Sequence, residues 1–190
     1  MIPNPKLISH REVLEQDLPP IVWDVEPLIS RGDRVVIFGE FGSMKSWLGL
    51  SLLGHLGAGR AWLGSFPVPE ASRALYVDEE MNERTLRRRH KRLSMGSAIN
   101  SEAAPGVALL SRAGVYFDAY GAGGLLSALN RPAYHPQVII VDSLRRVMPG
   151  DENEAKDVAA FWRNLEPLSR QGITIIVMHH MTKPPTDGKR

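Results

Sequence analysis

The chain has 190 residues, 43% of them hydrophobic and 23% charged, with a formal net charge of +2. That is ordinary globular composition at roughly single-domain length, which excludes disorder over most of the chain and is too weakly basic to diagnose a nucleic-acid protein. The absence of cysteine excludes disulfides, thiolate metal sites and cysteine nucleophiles, and no apolar run approaches the ~20 residues of a membrane helix.

Residues 1–10 hold no apolar core of a secretory leader, so a cytoplasmic location is expected. Pro3, Pro5, Pro19 and Pro20 make residues 1–20 an arm that feeds a domain over 21–190, since proline removes backbone donors and blocks helix continuation. Residues 34–38 (RVVIF) are a β-branched strand that runs at once into a glycine-bearing turn. A helix is predicted over 45–58, where Leu48, Leu52 and Leu56 recur at helical spacing beside Leu50 and Leu53. So wide an apolar surface is buried on most sides. Residues 73–78 (RALYVD) are a second strand, and a basic helix follows. From Arg84 to Arg92 it carries five arginines and one lysine with no acid, while Leu86 and Leu93 face the sheet.

Residues 107–110 and 115–117 are short strand candidates, and a small helix carries Leu125, Leu126 and Leu129. Residues 138–142 (VIIVD) are the clearest buried strand. An amphipathic helix spans 154–170, with Val158, Phe161, Trp162, Leu165 and Leu168 on one face and Pro167 kinking its last turns. Gly172 stops it, and residues 173–178 form the last strand. Strands alternating with helices define an α/β fold with a mainly parallel sheet flanked by helices. Unbroken apolar strands fit a sheet covered on both faces.

Ligands of such sheets sit beyond the carboxyl ends of the strands. Here those ends read 39–46, Glu79-Glu80, Asp142-Ser143 and His179-His180. The first, Gly39-Glu40-Phe41-Gly42-Ser43-Met44-Lys45-Ser46, matches the phosphate-loop pattern G-x-x-x-x-G-K-[ST] except for Met44 where the second glycine is expected. Its chemistry needs backbone N–H groups curled around a phosphate at a helix N-terminus, a lysine for the β- and γ-phosphates and a hydroxyl for Mg²⁺. Lys45 and Ser46 supply the last two. A left-handed backbone at Met44 would cost on the order of 1 kcal/mol, and its thioether would lie against nucleotide or a neighbouring subunit.

Asp142 closes the VIIVD strand as a Walker B acid does, holding Mg²⁺ opposite Ser46. The plainer role is a cap on the following turn. Glu80 is the candidate to take a proton from attacking water. Asp78 and Glu79 compete for that role, with strand alternation placing Asp78 and Glu80 on one side and Glu79 on the other. His179 or His180 would hydrogen-bond a γ-phosphate. A metal on both is disfavoured, because neighbours on a strand point oppositely. The basic helix is a solvated face by default and a nucleic-acid or subunit contact by the sharper reading.

GEFGSMKSWLGL, then YVDEEM before an arginine-rich helix, then VIIVDSLRRVMPGDENEAKDV, then IIVMHHMTK together resemble the RecA-like ATPases of the RepA type, plasmid and phage replicative helicases and related AAA domains. PPIVWDVEPLISRGDRVVIFGE resembles that family's lead into the phosphate loop, and the resemblance spans about residues 19–183. It implies a RecA-like P-loop core that binds ATP with Mg²⁺ and hydrolyses it. It makes Lys45 and Ser46 the Walker A pair, Asp142 the Walker B acid, Glu80 the catalytic glutamate, and His180 the γ-phosphate sensor with His179 beside it. The sensor strand would lie between the phosphate-loop and Walker B strands. Single-stranded DNA and a homo-oligomeric, hexameric ring are the implied partners, with no membrane. RecA-like cores continue past the sensor strand, so the C-terminal part with its arginine finger and DNA loops is expected to be absent here. Two rivals stay open: a nucleotide-binding switch or scaffold with little turnover, motivated by Met44 and the short C-terminus, and a small-molecule kinase, for which no arginine-rich lid is visible.

Overall fold

The computed structural model describes residues 7–118, 120–121, 124–125, 129 and 134–180. They form helix α1 (His10–Glu15), strands β1 (Trp23–Val25), β2 (Ile29–Ser30) and β3 (Arg34–Gly39), helix α2 (Lys45–Ala58), β4 (Ala74–Asp78), α3 (Glu83–Ser97), β5 (Val107–Ser111), β6 (Val138–Asp142), the single turn α4 (Leu144–Val147), α5 (Ala155–Ser169) and β7 (Thr174–His180). Strands β3 to β7 make one parallel sheet in the order β3-β7-β6-β4-β5. The fold is α/β, as the strand–helix rhythm requires, and the helix over 45–58 and strand over 138–142 have the predicted bounds. β7 lies between β3 and β6, the order the resemblance implies.

Side chains alternate across the sheet and sort into two cores. Tyr76 of β4, Val138 and Ile140 of β6, and Ile176 and Met178 of β7 pack with Leu50, Leu53 and Leu56 of α2 and Leu86 of α3. Leu75, Val77, Ile139, Val141, Ile175 and Val177 pack on the opposite face with Phe161, Leu165 and Leu168 of α5. Each fully buried aliphatic side chain contributes about 1.5–3 kcal/mol. All residues of β4 and β6 are buried, which is why these strands read as unbroken apolar runs. The same parity decides the strand ends. Asp78, Asp142 and His180 fall on the α2 face, and His179 falls on the α5 face.

The register levels these ends: Gly39 lies opposite His180, and Asp78 opposite both Asp142 and Ser111. β3 is an edge strand whose Val35 and Ile37 pack toward α2, while Arg34, Val36 and Phe38 stay exposed. The β1–β2 hairpin is pinned to the start of β7. Buried Asp24 accepts from Arg31 Nε at 2.6 Å and from the Thr174 hydroxyl, and Gly32 N–H donates to Thr174 Oγ1 at 2.8 Å.

Three expectations change. Residues 115–117 are not a strand: Val115 N–H goes to the Glu79 carboxylate and Phe117 N–H to the Val147 carbonyl, so no ladder forms. Phe117 instead plugs the core edge-on to Phe161, ring centroids 6.1 Å apart. The arm contains α1, capped by the reciprocal Ser9 and Glu12 hydrogen bonds of a capping box. The last strand starts one residue later than predicted and runs on through His180. The small helix carrying Leu126 falls largely outside the described residues, as do residues 1–6 of the arm and 181–183 of the IIVMHHMTK segment.

Candidate functional site

At the carboxyl end of β3 the chain turns through Gly42, at φ +83°, and Met44, at φ 66°, before α2 begins. Met44 therefore occupies the left-handed region that a glycine would fill without cost. It is 68% exposed, and no side chain caps α2. The first backbone N–H groups of a helix lack intrahelical acceptors and carry the positive end of the helix dipole, so an uncapped start is suited to an anion.

Lys45 is not solvated but only 6% exposed. Its ammonium curls back under the loop and donates to the carbonyls of Gly39 and Glu40, at 2.8 and 2.7 Å, and to Ser43 Oγ at 3.2 Å. All three protons are thus spent inside the loop. A Cβ on Gly39 would meet Ser43 Oγ at 2.9 Å, so a larger residue there would displace the hydroxyl that accepts from Lys45.

The loop faces a cavity of about 330 Å³. Residues 41–47 form one wall, Glu80 and Met81 a second, and Arg89 and His180 complete it. Phe41, 83% exposed, leans over His180 with ring centroids 5.8 Å apart. Both ring nitrogens of His180 are buried and lack a hydrogen-bond partner among the described residues. Nε2 lies 3.6 Å from Glu80 Oε1, beyond hydrogen-bond length.

The three candidate acids separate cleanly. Glu80 Oε1 accepts from the Ser143 hydroxyl at 2.5 Å and borders the cavity. Glu79 points the other way and accepts the backbone N–H groups of Ala113, Gly114 and Val115 at 3.0–3.2 Å, anchoring the loop after β5. Asp78 is fully buried, and its Oδ1 accepts the N–H groups of Glu80 and Met81 at 2.8 and 2.7 Å. Its Oδ2 has no partner among the described residues. Burial pushes the Asp78 carboxyl up to about 6, against the pull of those two N–H groups and with help from the charges of Asp142 and Glu80. Asp78 shapes the Glu80 turn and carries no free oxygen into the cavity. Arg112, itself at φ 47°, holds the same turn from β5 by donating from Nε and Nη2 to the Glu80 carbonyl at 3.1 and 2.6 Å.

Asp142 is buried and is not among the residues that line the cavity; its Oδ2 accepts the Tyr76 hydroxyl at 2.8 Å. His179 is not brought to the loop: it lies on the opposite face with Nδ1 3.6 Å from Glu152. Among the described residues no cluster of three His, Cys, Asp or Glu side chains could hold a metal unaided. A hard cation held by one hydroxyl, one carboxylate, waters and substrate oxygens needs no such cluster. The donor chemistry fits that case: Ser46 lines the cavity, buried Asp142 ends β6, and both offer oxygen only.

Sequence reasoning gave four participants no role of their own. Trp47 and Arg89 form one end of the cavity, with the guanidinium 5.3 Å from the indole centroid. Arg89 therefore leaves the solvated face to which the basic helix was assigned, whereas Arg84, Arg87 and Arg88 stay exposed and Arg87 pairs with Glu83 at 2.5 Å. Tyr76 and Ser143 were hidden among strand and turn residues; period-two spacing from Asp78 and adjacency to Asp142 were their only signals.

A parallel α/β sheet with a lysine-bearing loop between its edge strand and a buried helix, facing Glu80 and His180 at the ends of two other strands, defines a P-loop nucleotide-binding domain. The family model described as AAA domain matches residues 5–186, and the chain belongs to that family. Its class of activity is nucleotide binding and hydrolysis. No curated protein matches the chain. Among the described residues no helix is long and apolar enough to cross a membrane.

Proposed function

We propose that the chain binds ATP with Mg²⁺ and hydrolyses it, as the motor domain of a RepA-type DNA helicase or a related DNA-processing enzyme. One observation carries the reading: the Lys45 loop and the Glu80–His180 pair face each other across one cavity. On binding, Lys45 exchanges its three loop acceptors for β- and γ-phosphate oxygens, and the open N–H groups at the start of α2 receive the phosphates. Ser46 and Asp142 would hold Mg²⁺, which supplies neutralisation of charge on the phosphate oxygens. The Trp47–Arg89 end takes the base by stacking.

Glu80 orients the attacking water and accepts its proton. Ser143 fixes the carboxylate at one oxygen, and Asp78 and Arg112 hold the backbone on either side of it. His180, whose ring nitrogens have no hydrogen-bond partner among the described residues, donates to the γ-phosphate and loses that partner when phosphate leaves. Single-stranded DNA and further copies of the chain, in a ring, are the proposed partners.

A second reading, a nucleotide switch with little turnover, draws on Lys45 being spent on its own loop and on Met44 at φ 66°. Phosphate release with and without single-stranded DNA, measured beside ATP and ADP affinity, separates the two. The motor reading expects turnover that DNA stimulates. Tight binding with no release in either condition would leave the switch, and no binding would remove both.

A further inference from the structure

Tyr76 has no place in the chemistry above, and hydrophobic packing alone does not account for it. It is fully buried in the core between the sheet and α2, where a phenylalanine would fill the same space. A buried hydroxyl without a partner is costly, so its partners are informative. It donates to Asp142 Oδ2 at 2.8 Å and lies 3.5 Å from the Ser46 carbonyl, at the limit of a hydrogen bond. Those two residues belong to elements joined by no other side-chain hydrogen bond among the described residues: the first turn of α2 and the end of β6.

The ring is itself held. A Cβ on Gly49 would come within 3.1 Å of Tyr76 Cε2 and 2.4 Å of the Met178 methyl, so α2 packs directly against the ring. A fixed donor on one carboxylate oxygen decides which oxygen is left for another partner.

We propose that Tyr76 is a positioning residue for the cation site: its hydroxyl engages Asp142 Oδ2 and leaves Oδ1 to face Ser46 and the metal. This rests on the nucleotide reading above and adds to it the group that sets the carboxylate. Groups that orient a ligating side chain typically change metal affinity by about 10–100-fold when removed.

The test follows a fluorescent ATP analogue titrated with Mg²⁺, and separately in EDTA, on wild type, Tyr76→Phe, Asp142→Asn and the double variant. Tyr76→Phe should leave metal-free affinity within about twofold and raise the Mg²⁺ midpoint by about tenfold. On the Asp142→Asn background it should add nothing, because the group it positions is gone. An unchanged midpoint, an equal loss with and without Mg²⁺, or additivity in the double variant would overturn the proposal. So would failure of Tyr76→Phe to fold by circular dichroism, which would assign the hydroxyl to the fold. A wild-type chain that binds no analogue would instead overturn the nucleotide reading, and the proposal with it.

Discussion

Asp78 sits fully buried with one carboxylate oxygen unpartnered among the described residues, and its pKa is raised from the ordinary 3.8 to about 6. The folded chain thus keeps this proton to a higher pH than the unfolded chain does. Between about pH 4 and about pH 6 the folded state binds more protons, so stability falls as pH rises through that window and the cost is fully present above it. Two pKa units at 1.36 kcal/mol each amount to roughly 3 kcal/mol. Asp78→Asn removes the charge while keeping an acceptor for the Glu80 and Met81 N–H groups, and it turns an amide donor toward the side of the unpartnered oxygen. Denaturant melts of both proteins at pH 4 and pH 7.5 should show nearly equal stability at the lower pH. At the higher pH the variant should be more stable by about 2–3 kcal/mol, a rise in Tm of about 5–10 °C. A variant that is less stable at pH 7.5, or a difference between the proteins that does not change with pH, would refute the reasoning.

Glu80→Gln should keep nucleotide binding and lose phosphate release, while Glu79→Gln should retain release and lose about 1–3 kcal/mol of stability as its hold on the 113–115 loop weakens. The reverse pattern in phosphate assays and melts would show the acids wrongly assigned. Met44→Gly should be more stable than Met44→Ala by about 1 kcal/mol, because only glycine escapes the left-handed cost; equal stabilities would count against that backbone. Arg84, Arg87 and Arg88 changed together to Ala should not alter nucleotide affinity, whereas Arg89→Ala should weaken it by about 1 kcal/mol, roughly fivefold. Equal effects in a nucleotide titration would remove Arg89 from the cavity wall.

The fold was legible because its signals are local and redundant. RVVIF and VIIVD are short β-branched runs and RALYVD a short apolar one, the first followed by Gly39 and the others closed by Asp, and Leu48, Leu52 and Leu56 mark α2 at helical period. The loop, Asp142, Glu80 and the histidines were legible as polar clusters at strand ends. What sequence could not supply was direction. Two neighbouring acids, Glu79 and Glu80, carry the same chemistry, and only the sheet shows one gripping the 113–115 backbone and the other facing the cavity. The two histidines divide in the same way, His180 toward the loop and His179 toward Glu152. Residues 115–117 misled because strand propensity does not reveal where N–H groups are spent, and here a distant carboxylate takes one of them. Arg89 was lost in a run of like charges, since a helical face is settled by what packs against it.

The central claim is that Lys45 serves a nucleotide phosphate. Calorimetric titration of ATP in Mg²⁺ into wild type and Lys45→Ala, with folding of each checked by circular dichroism, tests it most directly. The account predicts saturable one-site binding by wild type, and its loss in a variant that remains folded. ATP affinity unchanged in folded Lys45→Ala, or a wild-type chain that binds no ATP at millimolar concentration, would contradict it.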